Sequence, residues 1–181
     1  MALAIKKEPF TYHDLDNFPE DGVRREIIAG DLFVSAAPST RHQRLISELH
    51  GLIWLFLRGN PIGTVFMAPT QVIFDDLTSV EPDIFVVLKD GRAQVTERRV
   101  VGAPAWVIEV LSPSNRDYDL ETKRKLYASQ GTIYWVVDPE AEEMTVWDTE
   151  GKQVYQRDDV ARVSVLPEFE VGLADLFDAV V

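Results

Sequence analysis

Residues 106–111, Trp-Val-Ile-Glu-Val-Leu, constrain the fold more than any other stretch of this chain. Successive side chains of a strand point to opposite faces, so Trp106, Ile108 and Val110 share one side and Val107, Glu109 and Leu111 the other. Both sets are apolar apart from Glu109, the pattern of a central strand covered on both sides. The fold must therefore layer both faces of a sheet and place a carboxylate inside the protein. An unpaired charge there costs several kcal/mol, roughly what a small domain has to spare. Glu109 needs either an arginine or lysine from a neighbouring element, or a cation shared with other acids.

The remaining periodicities supply the layers. Residues 38–60 predict a long helix: Ser39 or Thr40 caps it, Leu45, Leu49, Leu52, Ile53 and Phe56 recur at helical spacing, and Gly59-Asn60 closes it. Residues 26–38 alternate around Ala29-Gly30-Asp31, which predicts a hairpin, preceded by a short helix or turn near Tyr12. "PTQVIFDD" and "PDIFVVL" read as short strands joined by a polar turn, and strands also fit 132–138, 143–148 and 152–156. A second helix fits "DYDLETKRKLYASQG", and "GLADLFDAV" fits a closing one. Strands, a helix and more strands around one long N-terminal helix predict an α/β or α+β fold with a central mixed sheet flanked by helices. No repeat or linker interrupts the 181 residues, so a single domain spanning 1–181 is expected.

Composition narrows the chemistry. The chain has no cysteine, which removes disulfides, thiolate metal sites and a cysteine nucleophile, and suits a reducing interior. The N-terminus is a poor signal peptide and no apolar run reaches the ~18 residues of a membrane span, so a cytoplasmic protein without a membrane partner is expected. The net charge of −12 argues against an extended basic footprint on nucleic acid. Most of the basic groups in "GVRRE", "RHQR", "ERR" and "KRK" read as solvated surface charge.

A second acid answers Glu109. Asp83 follows Pro82 at the head of "DIFVVL", 26 positions earlier, which leaves room for one strand, a loop and the return. Antiparallel neighbours joined this way put the start of one strand beside the end of the next, so the two carboxylates converge. Like charges at that range raise a pKa unless a divalent cation sits between them. Oxygen-only ligands favour Mg²⁺ or Mn²⁺. Asp83 as a cap for the loop before it is the simpler alternative.

"EPDIFVV", "WVIEVLSPSNRDYDLETKRKLY" and "YWVVDPE", in that order, resemble the Uma-two family of restriction-endonuclease-like proteins, a branch of the PD-(D/E)XK nuclease superfamily. "RREIIAGDLFVSAAPSTRH" is similar to the family's opening, so the likeness covers roughly residues 10–140. The resemblance implies a restriction-endonuclease-like core, a divalent cation (Mg²⁺ or Mn²⁺), a DNA substrate and a homodimer. By the same resemblance Asp83 and Glu109 are metal ligands, Glu26 adds a further oxygen, and Lys123 is the catalytic lysine that assists the attacking water. His42, Ser112, Ser114 and Asp119 match positions of the cleft, and Tyr127 matches a position that serves equally as core. Two departures stand out. Leu111 occupies the place where the superfamily keeps its lysine, and "QGTIYW" is one residue short, with Ile133 where the family has a glutamate. Two other readings stay open at this level: a binding module on a nuclease scaffold without turnover, and a carboxylate-pair hydrolase acting on sugars.

Overall fold

The computed structural model describes residues 8–113 and 116–179. The first half holds α1 (Tyr12–Leu15), β1 (Arg25–Ile28), β2 (Asp31–Val34), α2 (Thr40–Gly59), β3 (Gly63–Met67), β4 (Val72–Asp75), β5 (Thr78–Val80) and β6 (Ile84–Leu88). After β7 (Gln94–Val95), β8 (Val100–Val101) and β9 (Trp106–Val110), a π-helix over Tyr118–Lys123 runs into α3 (Arg124–Ser129). The chain ends with β10 (Ile133–Asp138), β11 (Glu143–Asp148), β12 (Gly151–Tyr155), β13 (Val160–Arg162), β14 (Glu170–Gly172) and α4 (Leu173–Asp178).

The central sheet has six strands in the order β12-β11-β10-β9-β6-β3. β9 is buried along its whole length, as its two apolar faces require. It pairs antiparallel with β6 and parallel with β10. A parallel pair needs a long crossover, and here the π-helix and α3 supply it. Trp106, Ile108 and Val110 face one layer, where Leu45, Leu49 and Ile53 of α2 and Phe169 pack with Trp135 and Val137. Val107 and Leu111 face the other, with Phe85, Tyr127, Tyr134, Val136 and residues Val72 and Val80 of a second sheet, ordered β2-β1-β5-β4-β8-β7. Glu109 belongs to that second face, so its carboxylate lies between two sheets. Tyr134, Trp135 and Ile133 are core residues.

Two local expectations change. The buried stripe of α2 is His42, Leu45, Ile46, Leu49, Ile53 and Leu57, and Leu52 lies off it, exposed beside Trp54 and Leu55. The polar turn expected between "PTQVIFDD" and "PDIFVVL" contains a further strand: β4 turns back on β5 in the second sheet, and β6 joins the central one. Short strands carry no label for their partner, and the Glu81-Pro82 step between layers is invisible to periodicity. Among the described residues no helix is long and apolar enough to cross a membrane.

The β1–β2 hairpin, which carries the site's N-terminal residues, turns through Ala29 and Gly30, both at positive φ (52° and 84°). That two-residue geometry matches the twist of the strands and favours glycine. A Cβ on Gly30 would stand 2.4 Å from the Pro9 Cβ, so Gly30→Ala should lose ~1–3 kcal/mol in urea denaturation. An unchanged midpoint would mean that Pro9 does not pack on the turn.

Candidate active site

The carboxylates converge because three elements end at one place. β6 and β9 run antiparallel with Ile84 opposite Ile108, which brings Asp83 beside Glu109: the Asp83 N–H points at Glu109 Oε2 at 3.4 Å, and the Val110 N–H donates to Asp83 Oδ2 at 2.8 Å. β1 lies beside β5, whose exit passes Glu81, and the Glu81 N–H donates to Glu26 Oε1 at 2.8 Å. Glu26, Asp83 and Glu109 are all buried. The first turn of α2, capped by Ser39 accepting from the His42 N–H, sets His42 Nε2 3.1 Å from Asp83 Oδ2. An ionised carboxylate only accepts, so Nε2 carries the hydrogen in this contact.

Lys123 comes from the π-helix, not from the strand. π-turns are rare and cluster at functional sites. This one puts Asp119 and Lys123 on the side facing β9, and the side chain of Lys123 is only 2% exposed. Its ammonium lies 2.8 Å from Glu109 Oε1, 3.2 Å from Glu26 Oε2 and 3.4 Å from Asp119 Oδ1. The Tyr127 hydroxyl donates to Glu109 Oε1 at 3.3 Å, so this residue serves both core and site. Leu111, at the position where a lysine was looked for, is packed in the core between the sheets.

Arg24, in the "GVRRE" whose charges read in sequence as solvated or as a local pair for Glu26, belongs to the cluster. Its NH1 donates to Asp83 Oδ1 at 2.7 Å, and its NH2 lies 3.4 Å from both Glu26 Oε1 and Glu109 Oε2. Arg25, next along the strand, points the other way and pairs with Asp21 at 2.7 Å. Alternation on β1 carries the signal: residues 24 and 26 share a face, and Glu26 is buried. Ser112 lies on the rim of the adjoining groove, and Ser114 falls outside the described residues.

That groove, about 570 Å³, is lined by Val23, Ala36, Pro38, Met67 and Pro69 together with Arg24, His42 and Asp83. Among the described lining residues Arg24 is the one permanent cation.

Charge explains the titration of the cluster. Glu26, Asp83, Glu109 and Asp119 bring four carboxyls against two permanent cations, Arg24 and Lys123. Burial opposes ionisation of Asp83, but the His42 hydrogen bond and the Arg24 charge outweigh it and hold its carboxyl well below the usual range. Glu26 is likewise held low, its burial offset by Lys123 and Arg24. Glu109 is pushed up to about 8, by burial first and by Asp83 and Asp119 in addition, with Lys123 and Arg24 offsetting only part. Burial raises Asp119 too. Lys123 stays charged despite burial, because Glu109 and Glu26 raise its pKa.

A folded Glu109 therefore holds its proton between its ordinary 4.5 and about 8, where the unfolded chain has lost it. Stability should fall as pH rises through that window, by up to ~1.4 kcal/mol per pH unit. Asp83 and Glu26, whose pKa values are depressed, change only below it. Urea midpoints from pH 5 to 8 in EDTA check the slope, and Glu109→Gln should flatten it. A wild-type protein equally stable at both ends would contradict the raised carboxyl.

The donor set suits a hard divalent cation: it is oxygen-only, buried and has more carboxyls than cations. Among the described residues no three His, Asp or Glu side chains are grouped closely enough to hold an ion. The Arg24 guanidinium stands where the three acids would close up.

The sequence matches the family described as "Putative restriction endonuclease" (Uma2) over residues 10–176, further than the motifs alone reach. A crystal structure of a "putative nuclease belonging to DUF820" from Anabaena variabilis has the same fold, with a TM-score of 0.81 at 24% identity over 96% of this chain and 100% of that one. No curated protein matches.

Proposed function

The chain belongs to the Uma2 family, and from that premise we propose that it is a metal-dependent nuclease that cleaves phosphodiester bonds of DNA. The observation that carries this reading is the meeting of Glu26, Asp83, Glu109 and Lys123 at one buried point beside an open groove. Asp83 and Glu109, with Glu26, would hold Mg²⁺ or Mn²⁺. When bound, such a cation polarises the scissile phosphate and lowers the pKa of a bound water. Lys123, held charged by its carboxylates, would assist the attack through the positive charge it brings beside Glu109 and Glu26, which offsets charge that builds on the phosphate. Tyr127 and Lys123 together fix the Glu109 carboxylate. His42 and the Val110 N–H fix Asp83. The apolar walls of the groove suit sugar and base edges more than a run of phosphates, in keeping with the net charge of −12. Cutting both strands of a duplex takes two such sites, so the working unit is a homodimer in the cytoplasm.

The test is nicking of plasmid and single-stranded DNA by the wild-type protein with Mg²⁺, Mn²⁺ or EDTA. Metal-dependent cleavage that EDTA stops is expected. Absence of cleavage with either cation would favour the second reading, a nucleic-acid- or protein-binding module without turnover. The observation behind that alternative is the Arg24 guanidinium seated among the acids.

A further inference from the structure

We infer that Arg24 is the resident cation of the carboxylate cluster: in the free protein its guanidinium holds the ligand oxygens of Glu26, Asp83 and Glu109, and a divalent cation must displace it into the groove to bind. This rests on the proposal that those acids are metal ligands.

Each acid divides its two oxygens. One is anchored to the protein in two of them, Asp83 Oδ2 by Val110 N–H and His42 and Glu109 Oε1 by Lys123 and Tyr127, whereas Glu26 Oε2 has the Lys123 ammonium at 3.2 Å but no hydrogen bond among the described residues. The other is held by Arg24: Asp83 Oδ1 at 2.7 Å, Glu109 Oε2 at 3.4 Å and Glu26 Oε1 at 3.4 Å. Two of these three carry a further backbone contact, from Asp83 N–H to Glu109 and from Glu81 N–H to Glu26. For Asp83 and Glu109 the oxygens open to an ion are thus the ones the guanidinium now occupies. An arginine suits this task because its planar fork is always charged and spans several carboxylates at once.

The two cations of the cluster are not equivalent. Lys123 is sealed in, whereas 21% of the Arg24 side chain is exposed, it lines the groove, and its Nε has no hydrogen-bond partner. Arg24 is fixed at one end of a long side chain and has solvent on the other side, so it can leave without opening the core. Its departure moves one positive charge out as the ion brings two in, a net gain of one for a cluster in which carboxyls outnumber cations.

Mn²⁺ titrations of DNA-free protein, read by the electron paramagnetic resonance of the free ion, test this. Arg24→Gln should bind Mn²⁺ about tenfold tighter or more than wild type, a competitive coupling of ordinary size. Asp83→Asn should abolish the site in both backgrounds. Equal or weaker binding by Arg24→Gln, with Asp83 still required, overturns the displacement and leaves the metal site standing. Binding that ignores Asp83→Asn removes the metal site, and the displacement with it. A second measurement avoids dependence on the folding of Arg24→Gln. In wild-type protein labelled with ¹⁵N, the Arg24 guanidinium signal, assigned from Arg24→Lys, should change from restricted to freely rotating as Mg²⁺ saturates the site. A signal that stays restricted at saturation overturns the inference.

Discussion

Supercoiled plasmid should survive incubation with the Asp83→Asn protein and Mg²⁺ or Mn²⁺ under conditions in which the wild type nicks it, a loss of ~10³-fold or more. That factor corresponds to roughly 4 kcal/mol of transition-state stabilisation, the scale a bound cation supplies. Asparagine keeps the size of the side chain and one carbonyl oxygen, which at the Oδ2 position still accepts from the Val110 N–H at 2.8 Å and from His42 at 3.1 Å. What it removes is the charge that pairs with Arg24 at 2.7 Å and would bind the metal. Far-UV circular dichroism and a urea midpoint separate loss of chemistry from loss of fold. Cleavage above a tenth of wild type would take Asp83 out of the metal site.

Lys123→Met should cost the most stability of any single change at the site, ~3–5 kcal/mol at pH 8, the usual penalty for stripping one partner from a buried ion pair. Glu26, Glu109 and Asp119 all lie within 3.4 Å of its ammonium and would be left as buried charges with Arg24 alone to answer them. Protonation relieves such charges, so the loss should shrink toward pH 5. Glu109, already pushed up to about 8, takes the proton most readily. Urea unfolding of both proteins at the two pH values measures the difference. A penalty below ~1 kcal/mol at pH 8 would mean that solvent, not Lys123, compensates the acids.

Much of the architecture is legible in the chain. The two apolar faces of residues 106–111 require a strand buried on both sides, and β9 is one. The 26-residue separation of Asp83 and Glu109 fits an antiparallel return, and β6 and β9 make it. The cap at Ser39, the helix behind it and the turn at Ala29-Gly30 follow from local rules of propensity and backbone sterics, which act over a few residues and are written in them. The motif order that resembles a nuclease family is of the same kind, being linear information.

The remainder depended on partners far away in sequence. Two residues after Glu109 stands Leu111, and the motif order points instead to Lys123 in the following element. What no local pattern marks is the π-turn, whose extra residue swings Lys123 toward β9. Arg24 looks in sequence like any arginine beside a glutamate. Only the docking of the hairpin against β5, with Asp83 and Glu109 brought alongside, turns it into a half-buried counter-ion for three acids. Hydropathy determines which face of an element is covered, since burial of apolar area is non-directional and can be read residue by residue. Ion pairing is directional and short-ranged, so the arrival of Arg24 beside Lys123 at Glu109 was decided by the tertiary structure alone.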